Sequence, residues 1–343
     1  MTTDFAQRRA NLAALLAGVD AILVTKPVNV RYLTGLDSSN AAVLVRADGT
    51  AKLATDSRYI EMARELGIET VEAPDVTGEL AAPGVGIEAA HMTVAVFNKL
   101  GEGIVPLEPL VERLRVVKDD TEIELLRTAC AISDQAFADI CPKIRPGVTE
   151  REIARVLEAR MVELGADKPA FDSIVASGEN GSIPHHSPTD RELRAGDLVT
   201  LDFGALYGGY HADMTRTVAI GAIADWQREI YDLVREAQRA GRRALRPGAE
   251  AAQIDAASRS VIERAGHAEH FRHGLGHGVG LEIHEEPFLG PSRTGRLEDR
   301  VPITVEPGVY LQGRGGVRIE DTLVTREGGA ELLTKTTKEL LVL

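Results

Sequence analysis

The sequence predicts two domains, an α/β domain at the N-terminus and an α+β domain with an antiparallel sheet at the C-terminus. Helical and strand patterns alternate over about the first hundred residues, which is typical of an α/β domain. A charged segment from Val111 to Asp120 ends this alternation. Beyond it, helical patterns precede two hairpin patterns, Leu198 to Ile220 and Ile303 to Thr325. We therefore expect domains over residues 1–117 and 118–343, and a chain of 343 residues with 44% hydrophobic residues can bury a core in each.

Local patterns define the first elements of the N-terminal domain. An amphipathic helix is expected around Asp4 to Ala17, followed by a short apolar strand at Ala21–Val24. Residues Ala41 to Thr55 are predicted to form two strands joined at Asp48-Gly49, because this dipeptide accepts the positive φ angles of a tight turn. No group of His, Asp and Glu residues typical of a catalytic site occurs here.

Capping patterns mark the helices of the C-terminal domain. Thr121 with Glu124 three positions later can cap the start of a long helix, and Thr149 with Glu152 repeats the pattern before a second helix. Further helices are expected around Asp225 to Ala244 and Glu250 to Ala265.

Composition limits the compartment and the partners of the protein. With only Cys130 and Cys141, the chain has neither a disulfide framework nor a Cys-rich zinc site, and any metal must use oxygen and imidazole ligands. No apolar signal segment or run of membrane-spanning length occurs, so we expect a cytoplasmic protein without a membrane partner. The net charge of -13 disfavours nucleic acid as a partner, and its simplest consequence is solubility.

The first predicted hairpin carries two carboxylates on facing strands. In an antiparallel pair, directly opposed residues are equally distant from the turn. A turn at Tyr207-Gly208 therefore places Asp202 directly opposite Asp213, with Cβ atoms about 5 Å apart.

The second hairpin repeats this arrangement, because a turn centred on Gly313 places Glu306 opposite Glu320. Like charges facing each other in apolar strands are destabilising, so positive charge is expected between them. Arg318 shares a face with Glu320 but cannot balance four carboxylates, whereas two divalent cations can. The alternative is that each acid lies in a solvated turn. The apolar strands, the matched registers and the nearby histidines favour a metal site over that alternative.

Histidines accompany these carboxylates in a glycine-rich segment, His273 to His284. Its alternating glycines argue against a helix, so the spacing of His273 and His277 is not that of a helical zinc motif. A phosphate-binding loop is the rival interpretation, but neither the dinucleotide nor the P-loop spacing is present. Glycines here are expected to let the backbone approach a crowded metal and substrate site. His185 and His186 precede the first carboxylate-bearing strand and are candidates for hydrogen-bonding a substrate.

The motifs around these residues resemble those of the pita-bread metallopeptidases. They are Leu-Asp-Phe-Gly, Ala-Asp-Met-Thr-Arg-Thr, Gly-Leu-Gly-His-Gly-Val-Gly, Val-Glu-Pro-Gly and Arg-Ile-Glu-Asp, which contain Asp202, Asp213, His277, Glu306 and Glu320. Within that group the chain is similar to the branch of Xaa-Pro aminopeptidase and prolidase. The segments Asn29–Gly35 and Asp56–Tyr59 fit the creatinase-like N-terminal domain of that branch. The resemblance covers essentially the whole chain and implies a pita-bread fold for the C-terminal domain.

The resemblance also implies a role for each candidate residue. Asp213 and Glu320 would bridge two divalent metal ions, Asp202 would complete one site, and His277 with Glu306 would complete the other. Mn²⁺ is the expected metal, with Co²⁺ or Zn²⁺ as alternatives. Glu306 would transfer a proton toward the leaving nitrogen. His185 and His284 would contact the peptide. His273 and Arg318 would support the residues around them.

The implied activity is hydrolysis of the bond between an N-terminal residue and a following proline. Several prolidases carry an arginine four residues after the histidine that corresponds to His284, and this chain has Phe288 there. We therefore expect an Xaa-Pro aminopeptidase, with an Xaa-Pro dipeptidase as the alternative because Arg293 or Arg296 could replace that arginine. A non-catalytic pita-bread binding module is the more remote alternative. A homodimer or larger assembly is expected by analogy with the family.

Overall fold

The computed structural model describes residues 3–343, which form two compact units. The first unit ends at Arg115 and the second begins at Val116. Helices and a mixed sheet build the first unit, and helices with antiparallel sheets build the second. The predicted fold class is confirmed.

The first unit has six strands in one sheet, in the order β4-β3-β2-β1-β5-β6. The pairs β1–β2 and β2–β3 are antiparallel, and the pairs β3–β4, β1–β5 and β5–β6 are parallel. The strands are β1 (Ala21–Val24), β2 (Ala41–Arg46), β3 (Ala51–Thr55), β4 (Glu69–Glu72), β5 (Val85–Glu88) and β6 (Val105–Leu107). The helices are α1 (Phe5–Ala13), α2 (Pro27–Thr34), α3 (Ile60–Arg64), α4 (Val76–Leu80), α5 (Val94–Phe97) and α6 (Leu110–Val116).

Two predicted features of this unit occur as expected. Strand β1 has the predicted bounds, and all of its residues are buried, as their apolar character requires. The hairpin of β2 and β3 turns at Asp48-Gly49, where Gly49 has a φ of 83°. Helix α1 ends at Ala13, earlier than expected.

Four long helices belong to the second unit. They are α7 (Asp120–Ile140), α8 (Glu150–Glu163), α9 (Asp225–Ala244) and α10 (Ala251–Arg264). Thr149 and Glu152 form the predicted capping box of α8. The predicted cap of α7 is wrong by two residues, because Asp119 with Glu122 forms that capping box and Thr121 already lies inside the helix.

The strands of the second unit are short and mainly antiparallel. They are β7 (Lys168–Pro169), β8 (Ile174–Ser177), β9 (Leu198–Phe203), β10 (Ala205–Tyr207), β11 (Tyr210–His211), β12 (Met214–Ala219), β13 (Gly276–Gly278), β14 (Glu285–Leu289), β15 (Pro302–Val305), β16 (Gly308–Leu311), β17 (Gly315–Arg318), β18 (Asp321–Val324) and β19 (Glu331–Leu332). Single 3₁₀ turns occur at Cys141–Lys143, Gly178–Ser182 and Ala268–His270.

Helices cover the two hairpins with separate apolar cores. Helices α7 and α8 bury residues such as Phe137 and Leu157 against β9 and β12. Helices α9 and α10 bury residues such as Val234 and Ile254 against β15 to β18. This burial holds the outer face of each hairpin, so the polar residues of the opposite face are fixed in position. Within residues 3–343, no helix is long and apolar enough to cross a membrane.

Candidate metal centre and active site

The first hairpin does not have the predicted register. Asp202 pairs with Thr215, so the prediction that it lies directly opposite Asp213 is wrong. The turn lies at Gly208-Gly209, with φ angles of 57° and 87°, and this shifts the pairing by two residues. Because side chains alternate along a strand, a shift of two keeps Asp213 on the same face as Thr215 and hence as Asp202. The two carboxylates are therefore diagonal neighbours.

The second hairpin has the predicted register. Val305 pairs with Asp321, and Gly308 pairs with Arg318. Glu306 and Glu320 occupy matching positions in the interruption between these paired segments. Because the hydrogen bonding between the strands is interrupted here, the backbone can direct both carboxylates toward one point.

His277 joins the two hairpins from strand β13. Its Nε2 lies 3.5 Å from Asp213 Oδ2 and 3.3 Å from Glu306 Oε1. Asp213, His277 and Glu320 each offer a ligand atom within 4.8 Å of the others, and all three residues are buried. The geometry therefore brings together three of the predicted ligands, with Glu306 in contact through His277.

Asp202 lies beside this group and is paired with Arg318. The Arg318 guanidinium donates to Asp202 Oδ2 at 2.6 Å, and its Nε donates to the Thr215 hydroxyl at 3.1 Å. Thr215 in turn donates to Glu320 Oε2 at 2.7 Å. Arg318 thus balances one carboxylate and, through Thr215, helps to orient a second.

Asp213 and Glu320 lack sufficient positive charge around them. Burial and the neighbouring carboxylates raise the pKa of both Asp213 and Glu320 well above the ordinary value. Burial also raises the pKa of Asp202, against the effect of Arg318. By contrast, the pKa of Glu306 is low. Burial alone would raise it, but the hydrogen bond and charge of His277 outweigh burial and lower the pKa of Glu306 to about 2. Asp213 and Glu320, which we call the inner acids, are therefore the groups that most need a cation.

Two observations fit divalent metal ions at this site. Asp202 Oδ1 and Glu320 Oε1 are buried oxygens without a hydrogen-bond partner. An ionised carboxylate is costly to bury unless it is paired or coordinated. The donor set of carboxylate oxygens and one imidazole nitrogen suits hard and borderline dications.

The glycines around His277 serve close packing of strands. A Cβ at Gly276 would lie 2.1 Å from the Thr304 carbonyl oxygen, and a Cβ at Gly278 would lie 2.4 Å from the Glu286 carbonyl oxygen. The expectation that the segment is not helical is confirmed. The neighbours that require these two glycines are backbone carbonyls of adjacent segments.

The ligand group lies in a cavity of about 1490 Å³. His185 and His284 both line this cavity, and the His284 ring lies 4.4 Å from the His277 ring, centroid to centroid. His273 lines it as well, and its Nε2 lies 3.0 Å from the Tyr310 hydroxyl. All of the predicted site residues therefore belong to one region.

Two polar residues of this region were missed at the sequence level. Tyr310 accepts a hydrogen bond from Arg318 at 2.8 Å and thereby connects it with His273. Thr215 connects Arg318 with Glu320. The alternation of residues 213, 215 and 217 on one strand face could have identified Thr215. Tyr310 has no comparable local signal.

Comparison with known proteins identifies the family of the chain. Residues 124–327 match the model described as metallopeptidase family M24, and residues 8–117 match the creatinase/prolidase N-terminal domain. The chain belongs to metallopeptidase family M24. The two matched regions place the candidate metal centre of this metallopeptidase entirely within its M24 region.

Relatives of this metallopeptidase match it over nearly its whole length. An Xaa-Pro dipeptidase from Pyrococcus furiosus is 37% identical over 339 residues, which span 94% of this chain and 95% of the relative. A structure described as Xaa-Pro dipeptidase from Bacillus anthracis has a TM-score of 0.96 and 38% identity and covers 99% of this chain and 100% of its own. An X-Pro aminopeptidase from Thermotoga maritima has a TM-score of 0.89 and 34% identity, with 96% and 99% coverage.

Proposed function

We propose that this metallopeptidase is an Xaa-Pro aminopeptidase, which removes the first residue from peptides with proline in the second position. The observation that carries the proposal is the group of buried, undercompensated carboxylates with His277 in a large cavity. The relatives named Xaa-Pro dipeptidase and X-Pro aminopeptidase support action on Xaa-Pro bonds.

The proposed cofactor is a pair of divalent cations, expected to be Mn²⁺, with Co²⁺ or Zn²⁺ as alternatives. The residues that would hold them are Asp202, Asp213, His277, Glu306 and Glu320. When bound, such ions polarise the scissile carbonyl and make water more acidic. The number of carboxylates matches the charge of two dications.

Residues of the chain would then orient the peptide and move the proton. Glu306 is ionised at neutral pH because of His277, so it can accept a proton from water and return it to the leaving nitrogen. Ring N–H groups of His185 and His284 can donate to the oxygen of the scissile carbonyl. The leaving nitrogen of any peptide bond must gain a proton, and the acylated proline nitrogen carries no hydrogen of its own. Glu306 would deliver that proton.

The choice of aminopeptidase rests on position 288 and on the size of the cavity. Phe288 is a partly buried apolar residue of the lining and cannot pair with a substrate carboxylate. A volume of about 1490 Å³ also has room for residues beyond the proline.

Arg293 favours a second candidate, an Xaa-Pro dipeptidase. Its guanidinium lies over the Phe288 ring at 4.9 Å and lines the same cavity. From there it could bind the free carboxylate of a dipeptide. Arg296 is less suited, because it is exposed and paired with Glu250. The names of the Pyrococcus and Bacillus relatives also support this candidate.

One comparison of substrates distinguishes the two candidates. The kcat/KM for an Xaa-Pro dipeptide is measured beside that for the same sequence extended by several residues. The aminopeptidase proposal predicts efficient cleavage of the extended peptides and little effect of Arg293→Gln, with Arg296→Gln as the control. A strong preference for the dipeptide that is lost in Arg293→Gln would establish the dipeptidase instead. A protein that binds no metal and cleaves neither peptide would support a binding module.

We further propose a homodimer or larger assembly that acts on proline-containing peptides in the cytoplasm. Neither a membrane nor a nucleic acid is a proposed partner. Sedimentation at working concentration tests the assembly, and a monomer would contradict it.

A further inference from the structure

One side of the cavity is a loop that carries His185. We define the histidine loop as Gly178–Thr189, between strand β8 and the segment that leads to β9. His185 is exposed on this loop and lines the cavity. The adjacent His186 also lines the cavity, but it is buried and its ring contacts Glu150. The loop has little regular structure beyond its 3₁₀ turn, so other contacts must fix its conformation.

Glu150 supplies several of those contacts from the start of helix α8, in addition to the Arg318 guanidinium, which donates to the Pro184 carbonyl oxygen at 3.3 Å. Its side chain is completely buried. Oε1 accepts hydrogen bonds from the backbone N–H of Ser177 at 2.7 Å, the Ser177 hydroxyl at 2.7 Å and the Asn180 amide at 3.0 Å. Oε2 accepts from the backbone N–H of Thr189 at 3.0 Å and its hydroxyl at 2.7 Å, and lies 2.8 Å from His186 Nε2. One oxygen therefore holds the beginning of the loop and the other holds its end.

The charge of Glu150 is an essential part of this arrangement. Burial alone would raise the pKa of Glu150. Hydrogen bonds outweigh burial and lower this pKa to about 2, and they come from Asn180, His186, Ser177 and Thr189. The carboxylate is thus ionised at neutral pH, and hydrogen bonds to an ionised acceptor are stronger than those between neutral groups.

Capping of helix α8 does not explain these contacts. The box of Thr149 and Glu152 satisfies the backbone N–H groups of those two residues. The N–H groups of Glu150 and Arg151 donate to the carbonyl oxygens of Arg191 and Thr189. The hydrogen bonds to the Glu150 carboxylate come from Ser177 and from three residues of the histidine loop, Asn180, His186 and Thr189. Its buried charge is therefore directed at the loop.

We propose that Glu150 is a positioning residue, which closes the histidine loop and thereby fixes His185 against the substrate. His186 connects the two, because its ring is held by Glu150 and its backbone is joined directly to His185. This inference rests on the proposed function for the role of His185. Displacement of a contact residue by about 1 Å can reduce turnover about 100-fold.

The kinetic test is a double-mutant cycle on an Xaa-Pro peptide. Glu150→Gln keeps the shape of the side chain but replaces one acceptor oxygen by a donor, so one end of the loop loses its anchor. We expect kcat/KM to fall about 100-fold. Glu152→Gln is the matched control, because Glu152 is exposed on the same helix turn and does not contact the loop, and near wild-type activity is expected.

The cycle separates positioning from a general loss of stability. If Glu150 acts through His185, Glu150→Gln will reduce activity only slightly further when His185→Ala is already present. If the losses in kcat/KM of the two single variants simply multiply in the double variant, the proposal is overturned. Thermal unfolding and metal analysis of each variant identify changes in fold or metal content. If Glu150→Gln does not fold, Thr189→Val removes one of the same hydrogen bonds and enters the same cycle, with an expected loss of about tenfold.

Hydrogen exchange tests the anchoring without any substrate. In Glu150→Gln or Thr189→Val, faster exchange is expected in the histidine loop, with the rest of the second unit unchanged. Unchanged exchange in the loop would overturn the proposal. A wild-type protein that cleaves no Xaa-Pro peptide would refute the proposed function, while exchange would still decide whether Glu150 holds the loop.

Discussion

The two carboxylate-bearing hairpins differ in register but share one electrostatic arrangement. In the first, Asp202 is paired with Arg318, and in the second, Glu306 is paired with His277. The other member of each pair, Asp213 or Glu320, has a pKa raised far above its ordinary value. Each hairpin thus contributes one outer carboxylate that is paired with a cation and one inner carboxylate whose pKa is raised well above its ordinary value. Burial also raises the pKa of the outer acid Asp202, against the effect of Arg318.

This comparison shows that strand register is not what creates the site. A diagonal pair in one hairpin and a matched pair in the other bring their acids to the same place, because side chains two residues apart share a face. The distinction between inner and outer acids arises from the cations nearby. It predicts different consequences for substitutions that the sequence alone would treat as equivalent.

The largest effect is expected for an inner acid. Glu320→Gln removes a carboxylate with no cationic partner of its own, so metal binding should be lost at one or both sites. We expect kcat/KM to fall at least about 1000-fold, or roughly 4 kcal/mol of transition-state stabilisation. The metal-free variant should unfold at a higher temperature than metal-free wild type at neutral pH, because Glu320 must take up a proton when the chain folds whereas an amide is neutral at any pH. Elemental analysis and calorimetry check both results. Wild-type metal content would contradict the assignment.

The outer acid of the second hairpin should affect turnover more than folding. Glu306→Gln removes the proposed proton carrier, and kcat is expected to fall about 100- to 10,000-fold with the fold retained. Glu327→Gln is a suitable control, since Glu327 is exposed. Near-normal activity of a folded, metal-loaded Glu306→Gln protein would refute this role.

The outer acid of the first hairpin depends on its arginine. Arg318→Lys keeps the charge beside Asp202 but cannot reproduce the contacts to Thr215 and Tyr310. We expect a loss of about tenfold in kcat/KM, with a smaller change in unfolding temperature. Steady-state kinetics at saturating metal measure it, and an unchanged kcat/KM would show that Arg318 only balances charge.

The smallest effect concerns the metal-free protein and its dependence on pH. With their raised pKa values, Asp213 and Glu320 keep protons in the folded state that the unfolded chain releases above the ordinary values of 3.8 and 4.5. Burial alone would lower the pKa of His277, but the hydrogen bond and charge of Glu306 raise it from 6.5 to about 9. The folded state therefore also keeps the His277 proton at a pH where the unfolded chain releases it.

Because the folded state holds more protons at these three groups, the free energy of unfolding should fall as pH rises from about 7 to 9. Below that range the lowered pKa values of four other histidines, His211, His267, His273 and His284, act in the opposite direction. The lowered pKa of Glu306 acts only below 4.5 and does not oppose this trend. Denaturant unfolding in chelator measures the slope, and added Mn²⁺ should remove it. Stability that increases with pH in chelator would contradict the proposed charge balance.

Local patterns were sufficient for much of the fold. Apolar runs defined β1, and the capping box of Thr149 and Glu152 defined the start of α8, because both depend on neighbours in sequence. Asp48-Gly49 defined a hairpin for the same reason. The turn of the first carboxylate hairpin was predicted one residue early, because Tyr207, Gly208 and Gly209 offer two competing turns.

The sequence by itself determined which residues could form the site, since acids in apolar strands and histidines among glycines are recognisable without neighbours in space. Tertiary structure decided how their charge is shared. Arg318 lies 116 residues from Asp202 along the chain, and Glu150 lies 36 residues from His186. Hydrogen bonds over such separations depend on the packing of whole elements, so the pairing of the outer acids and the anchoring of the histidine loop are properties of the folded chain alone.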